Sequence, residues 1–328
     1  MEEVATRTPR LIPGTVWSYP ISDRLDLRGR EYLRGRPNLI HFVHGAGLCG
    51  LSYWPLLQPL LERHDLCLHD TQGHGDSDDG ARFPGWNLSA ERMAQVVHYR
   101  RRVWGDRTVI GCGHSFGGVL TLMAAARYPS LFDAVVLLDP ILYPSTLGSL
   151  VATTYYAGLS RYNPLAIRAR RRTRQWVDRE VALSYFHERG MFAGWREDAL
   201  QSHIDHALAR LPDGRLVLKC PPWMEAQIFA GFARGIWTAV HQLACPTLIL
   251  YGQHTYRFIP PAVRRAQEIN PRIQAQMLPG NHFFMQQAPD RATVAIDGWL
   301  LKQGSVSYTH LRAHETSLHL VCRLLLEK

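Results

Sequence analysis

The 328-residue chain reads as an α/β protein built on a mostly parallel sheet with helices on both faces. Three observations predict this class. Short apolar, β-rich runs alternate with longer helical stretches, and each run ends in a turn bearing Gly, Asp or His. The composition, 46% hydrophobic and 20% charged with 26 Gly and 20 Pro, is that of a globular chain and excludes disordered or collagen-like classes. The length suits one large or two medium domains, at roughly 100–200 residues each.

The strand candidates are Leu39–Val43, Asp65–His69, Thr108–Cys112, Ala134–Leu138, Thr247–Tyr251 and Ile273–Leu278. An Ala-rich helical run, Val119–Ala126, follows the third, and a closing helix is expected from about Pro289 to Leu301. Between Tyr143 and His241 no strand pattern is found. That segment mixes Arg, Tyr, Trp and His in helical stretches broken at Asn163-Pro164 and Pro212-Asp213-Gly214, and it predicts a helical cap inserted over the strand ends. The expected organisation is therefore a core in two parts, 1–142 and 241–304, with a cap at 143–240. Residues 305–328 read unlike the rest and resemble translated adapter read-through; they are expected to be a non-native tail, the alternative being a native amphipathic helix.

The net charge is +9, from 37 Lys plus Arg against 28 Asp plus Glu, and +8 without the tail, which holds three basic and two acidic residues. Much of the excess lies in Arg168-Ala169-Arg170-Arg171-Arg172-Thr173-Arg174. This run is expected to be a solvated helix face, with steering of an anionic substrate as the alternative; no nucleic-acid recognition motif accompanies it. There is no apolar run of about 18 residues and the first residues are acidic, so neither a membrane span nor a standard secretion signal is expected. The six cysteines form no C-x-x-C pair, which argues against a zinc site or disulfide framework and for a reducing cytoplasm. His203 and His206 lack a third ligand at metal-site spacing, and no phosphate loop, flavin or nicotinamide motif is present. A small-molecule substrate is expected, without cofactor, metal, nucleic acid or membrane.

The chemistry concentrates in Gly113-His114-Ser115-Phe116-Gly117-Gly118, between a strand and a helical run. Glycines two before and two after Ser115 permit a tight strand-to-helix turn that lifts the hydroxyl to the sheet edge over a helix N-terminus. With these residues the chain resembles the α/β-hydrolase superfamily over about Leu39 to Leu301. His44-Gly45-Ala46-Gly47 is similar to the family's oxyanion loop, so the resemblance implies backbone N–H donors at Ala46 and Phe116. Asp70-Thr71-Gln72-Gly73-His74-Gly75-Asp76-Ser77 is similar to a family turn that is structural, and no chemistry is assigned to it. Pro279-Gly280-Asn281-His282-Phe283 matches the placement of the general base, His282.

The acid departs from the pattern. Where most members carry a carboxylate after the strand at Thr247–Tyr251, this chain has Thr255, and the only carboxylate between Pro246 and His282 is Glu268. A second location in the superfamily follows the preceding strand, where Asp139 stands before Pro140. Adjacent strand ends lie about 5 Å apart, so Asp139 is the candidate acid by geometry; the alternative is that it merely caps the turn. His44 and Trp223 are candidate substrate contacts, Trp223 as one of many aromatic residues in the cap. These residues imply a serine hydrolase working through an acyl-enzyme, with a carboxylic ester of apolar or aromatic character as the expected substrate. Thioesterase, carbon–carbon hydrolase or perhydrolase activity, or silent ligand binding, are the alternatives.

Overall fold

The structure is a computed structural model that describes residues 13–303, so the tail expected at 305–328 lies outside the described residues. In chain order the strands are β1 (Thr15–Ser22), β2 (Leu25–Tyr32), β3 (Asn38–Val43), β4 (His64–Asp70), β5 (Thr108–His114), β6 (Ala134–Leu138), β7 (Gln175–Trp176), β8 (Leu208–Arg210), β9 (Leu216–Leu218), β10 (Thr247–Gly252) and β11 (Ile273–Leu278). Eight of them form one sheet in the order β1-β2-β4-β3-β5-β6-β10-β11. Its β1-β2-β4 edge is antiparallel and every other pairing is parallel. All six strands expected from the sequence are present, and the helix at 289–303 follows. The β1–β2 hairpin lies outside the strands expected from the sequence.

Alternation along the central strands divides the interior into two cores, because successive side chains point to opposite faces. Leu39 and Val43 of β3, Val109 of β5 and Val135 and Leu137 of β6 join one cluster with the helices Trp86–Trp104 and Ser115–Arg127. Ile40, Phe42, Ile110, Cys112, Val136 and Leu138 join the other, with Trp54, Leu57, Ile296 and Trp299. Burial on both faces explains why these strands read as continuous apolar runs.

The chain between β6 and β10 holds several short helices, as expected, but it also carries a three-stranded antiparallel sheet in the order β7-β9-β8. The expectation of a strand-free insertion is corrected here. Strands of two or three residues are too short to show a period of two. The arginine run divides as well: Arg168, Arg170, Arg171 and Arg174 are exposed, whereas Arg172 is largely buried and bonds Glu225 at 2.8 Å.

Register places the site. His114 pairs with Leu138, and Leu138 with Leu250, so Ser115 and Asp139 each stand just beyond the carboxyl ends of neighbouring parallel strands. His282 follows β11, whose last pair is Gly252 with Leu278. Three loops from the same sheet edge thus converge.

Candidate active site

Ser115 opens its helix at φ 53, a left-handed conformation that lifts the side chain out of the strand-to-helix turn. The flanking glycines are there for space. A Cβ on Gly117 would lie 2.4 Å from the carbonyl oxygens of both Val43 and His44, and one on Gly113 would lie 2.5 Å from Gly117 O. The helix therefore seats directly on the backbone that leads into the 44–47 loop.

Ser115 Oγ lies 2.9 Å from His282 Nε2, the two residues being 167 positions apart in the chain. On the other side of the ring, His282 Nδ1 is 3.2 Å from Asp139 Oδ2, and the Asp139 side chain is fully buried. The distance is that of an ion pair, yet neither Asp139 oxygen nor His282 Nδ1 makes a well-directed hydrogen bond. Asp139 itself sits at φ 45, and its N–H donates to Leu250 O at 2.7 Å, which ties the residue to β10. Thr255, where a carboxylate is usual, presents a buried Oγ1 that makes no hydrogen bond.

The 44–47 loop is a tight turn closed by Leu48 N–H to Gly45 O at 3.2 Å, with Gly47 at φ 76, a conformation that favours glycine at the third turn position. Gly47 N–H donates to His74 Nε2 at 3.1 Å. That leaves the Ala46 N–H without an acceptor, and the Phe116 N–H, in the first turn of its helix, has none either among the described residues. These are the two amides that the resemblance implies as oxyanion donors.

His44 corrects its expectation. Its Nε2 accepts the Thr71 N–H at 3.0 Å and its Nδ1 donates to Gly45 O at 2.8 Å, and the ring is fully buried. It buttresses the loop and is no wall of a pocket. Burial and the neighbouring His74 hold it neutral, well below the usual imidazole range, while burial brings His74 down to about 4. Asp70 is also a support: its carboxylate accepts the N–H groups of Gly50 at 2.8 Å and Asp76 at 3.0 Å, and burial raises it to about 6 against those bonds.

Trp223 lies half-buried on the helix Pro222–Ala230 against the core cluster that includes Phe116. Aromatic rings not singled out from the sequence surround the site. Tyr256 is 4.8 Å from the His282 ring and stacks on Phe258, which stacks on Tyr143; Trp86 meets Phe116 edge-on at 4.8 Å. Tyr256 follows Thr255 directly, but only the folded chain reveals it as a neighbour of His282. Elsewhere, His203 Nδ1 bonds Ser52 Oγ at 3.1 Å, and among the described residues no cluster of three metal-ligating side chains occurs.

A family model described as the alpha/beta hydrolase family matches residues 42–296. The chain belongs to the alpha/beta hydrolase family. This alpha/beta hydrolase is similar to the 2-(acetamidomethylene)succinate hydrolase of Mesorhizobium japonicum, 23% identical over 278 residues that span 84% of this chain and 92% of the relative. It is also similar to the lipase LipV of Mycobacterium tuberculosis, 28% identical over 194 residues, 58% of this chain and 65% of that one. Among solved structures, the E-2-(acetamidomethylene)succinate hydrolase superimposes with a TM-score of 0.69 at 22% identity, covering 87% of this chain and 99% of the other. The thioesterase domain from the curacin biosynthetic pathway gives 0.65 at 15% identity, covering 88% and 100%. These superpositions bear on the fold alone. Membership of the family supports hydrolase as the activity class.

Proposed function

We propose that this alpha/beta hydrolase is a serine hydrolase that cleaves small to medium carboxylic esters through an acyl-enzyme. The observation that carries this reading is the 2.9 Å contact between Ser115 Oγ and His282 Nε2 at the turn where Ser115 adopts a positive φ. In the proposed mechanism His282 takes the hydroxyl proton as Ser115 attacks the ester carbonyl. The Ala46 and Phe116 amides stabilise the tetrahedral oxyanion, and Asp139 stabilises the imidazolium. His282 then protonates the leaving alcohol, and a water activated by the same imidazole releases the acid.

The chain between β6 and β10 acts, in this proposal, as a cap over the site, with Trp223 among the residues that meet the substrate. Arg172 and Glu225 support that role, because both come from this segment and lie against the would-be Cβ of Gly47, at 3.3 and 2.7 Å. The aromatic rings of Tyr256, Phe283 and Trp86 favour an apolar or aromatic acyl group.

Hydrolysis of short and medium p-nitrophenyl esters tests the reading, together with fluorophosphonate labelling. Ser115→Ala is expected to abolish labelling and to lower kcat by about 10⁴-fold or more. Binding without turnover is the second reading, favoured by the undirected Asp139–His282 contact; it requires that the wild-type protein hydrolyse neither ester and resist the label.

A further inference from the structure

We propose that Tyr53 and His114 are positioning residues that hold the oxyanion loop, the nucleophile and the base in register through one polarised chain of hydrogen bonds. The proposal rests on the serine-hydrolase reading above. Gly45 N–H donates to Tyr53 Oη at 3.1 Å, Tyr53 Oη lies 2.6 Å from His114 Nδ1, and His114 Nε2 lies 3.0 Å from the carbonyl oxygen of His282. The ends fix every proton between them. An amide only donates and a carbonyl only accepts, so the Tyr53 hydroxyl must donate to Nδ1 and His114 must carry its proton on Nε2. For a neutral His114 ring no other arrangement satisfies all three contacts.

The chain threads the site at three points. Gly45 precedes Ala46, the proposed oxyanion donor; His114 precedes Ser115; and the last acceptor belongs to His282 itself. Each working group is thus one residue or less from a link. Both Tyr53 and His114 are fully buried, so no solvent substitutes for a lost partner. The packing is as close as the bonding: a Cβ on Gly45 would lie 2.6 Å from His114 Nδ1, and the His114 and His282 rings are 4.8 Å apart. Burial, with His282 beside it, keeps His114 neutral and well below the usual imidazole range, and only the neutral ring can accept from Tyr53. Neither residue touches the reacting atoms. Their effect falls on where the oxyanion donor and the base stand in the transition state, where a displacement of about 1 Å can cost 10²-fold.

The test compares Tyr53→Phe, His114→Gln, His114→Asn and His114→Leu with the wild type. His114→Gln keeps a donor near Nε2, His114→Asn an acceptor near Nδ1, and His114→Leu neither. For each, kcat and KM on a p-nitrophenyl ester, affinity for a trifluoromethyl ketone that mimics the tetrahedral adduct, and Tm are measured. Tyr53→Phe is expected to lower kcat roughly 10- to 100-fold and ketone affinity by a like factor, with KM nearly unchanged. His114→Leu should lose most, and the two amide variants should regain part of it.

A lower Tm with kcat and ketone affinity unchanged overturns the proposal, as does His114→Leu turning over as fast as the amide variants. ¹⁵N-histidine NMR of the wild-type protein decides the polarity even if variants fail to fold: His114 as the Nε2–H tautomer supports the chain, and Nδ1–H or a charged ring at pH 7 overturns it. An inactive wild type with an unlabelled Ser115 would sink the hydrolase reading instead, leaving the NMR result to judge the chain.

Discussion

Ser115 at φ 53 and Asp139 at φ 45 are two of the three non-glycine residues with positive φ among those described. Each such conformation costs on the order of 1 kcal/mol and persists where surrounding contacts over-determine it. For Asp139 those contacts are the bond to Leu250 O and the neighbouring imidazole. Asparagine tolerates the left-handed region where alanine does not, so Asp139→Asn removes the charge with less backbone strain than Asp139→Ala. At Gly117 the constraint is steric. Gly117→Ala forces backbone apart at Val43 and His44, and a loss of about 1–3 kcal/mol is expected, together with a fall in kcat because the 44–47 loop moves. Chemical denaturation and ester kinetics check both parts, and an alanine variant with wild-type stability would show that the helix and loop do not press on each other.

Between elements, the Arg172–Glu225 pair joins two parts of the inserted segment beside the 44–47 loop. Both side chains are largely buried, at 13% and 6% exposure, which decides the energetics. Glu225→Ala strands a buried guanidinium and should cost about 3–5 kcal/mol, whereas replacing both residues by Met should cost much less. Denaturant melts of the single and double variants measure this; equal losses would contradict it.

The elements differ in how legible they were. β3 through β6, β10 and β11 are evident because central parallel strands must be apolar on both faces, and the Ser115 turn is evident because glycine spacing there answers a local steric demand. The β1–β2 hairpin escapes such reading: β1 lies at the sheet edge with only Trp17 buried, so no apolar run marks it. Asp139 is a candidate through the superfamily's second acid location, which the resemblance implies, and through strand adjacency, with Thr255 standing where a carboxylate is usual. Tyr53, 61 positions from His114, carries no local signal of its role. His44 departs from its expectation because a motif fixes the residue and not the direction in which its ring faces.

For the whole molecule, burial of neutral imidazoles dictates the response to acid. His41, His44, His69, His74, His114 and His203 are all buried with lowered pKa, to about 3 for His41 and His203 and about 4 for His74. A depressed folded-state value means that the stability is fully present above the unfolded pKa of about 6.5 and is lost as pH falls toward the folded values; at pH 5 His41, His74 and His203 each cost about 2 kcal/mol, and His44, His69 and His114 act in the same direction. Asp70, raised to about 6, acts in the opposite sense but is one group against six. Stability should therefore be level above pH 7 and fall cooperatively between about pH 6.5 and 4, and a Tm unchanged down to pH 4 would contradict this. The same sheet that buries these rings brings Ser115, Asp139 and His282 together from three loops, and the central claim is that the acid works from the end of β6. Comparing kcat/KM for ester hydrolysis by the wild type, Asp139→Asn and Asp139→Ala tests it most directly. The account predicts a loss of about 10²- to 10⁴-fold in both variants with Ser115 still required, and turnover that is indifferent to Asp139 would contradict it.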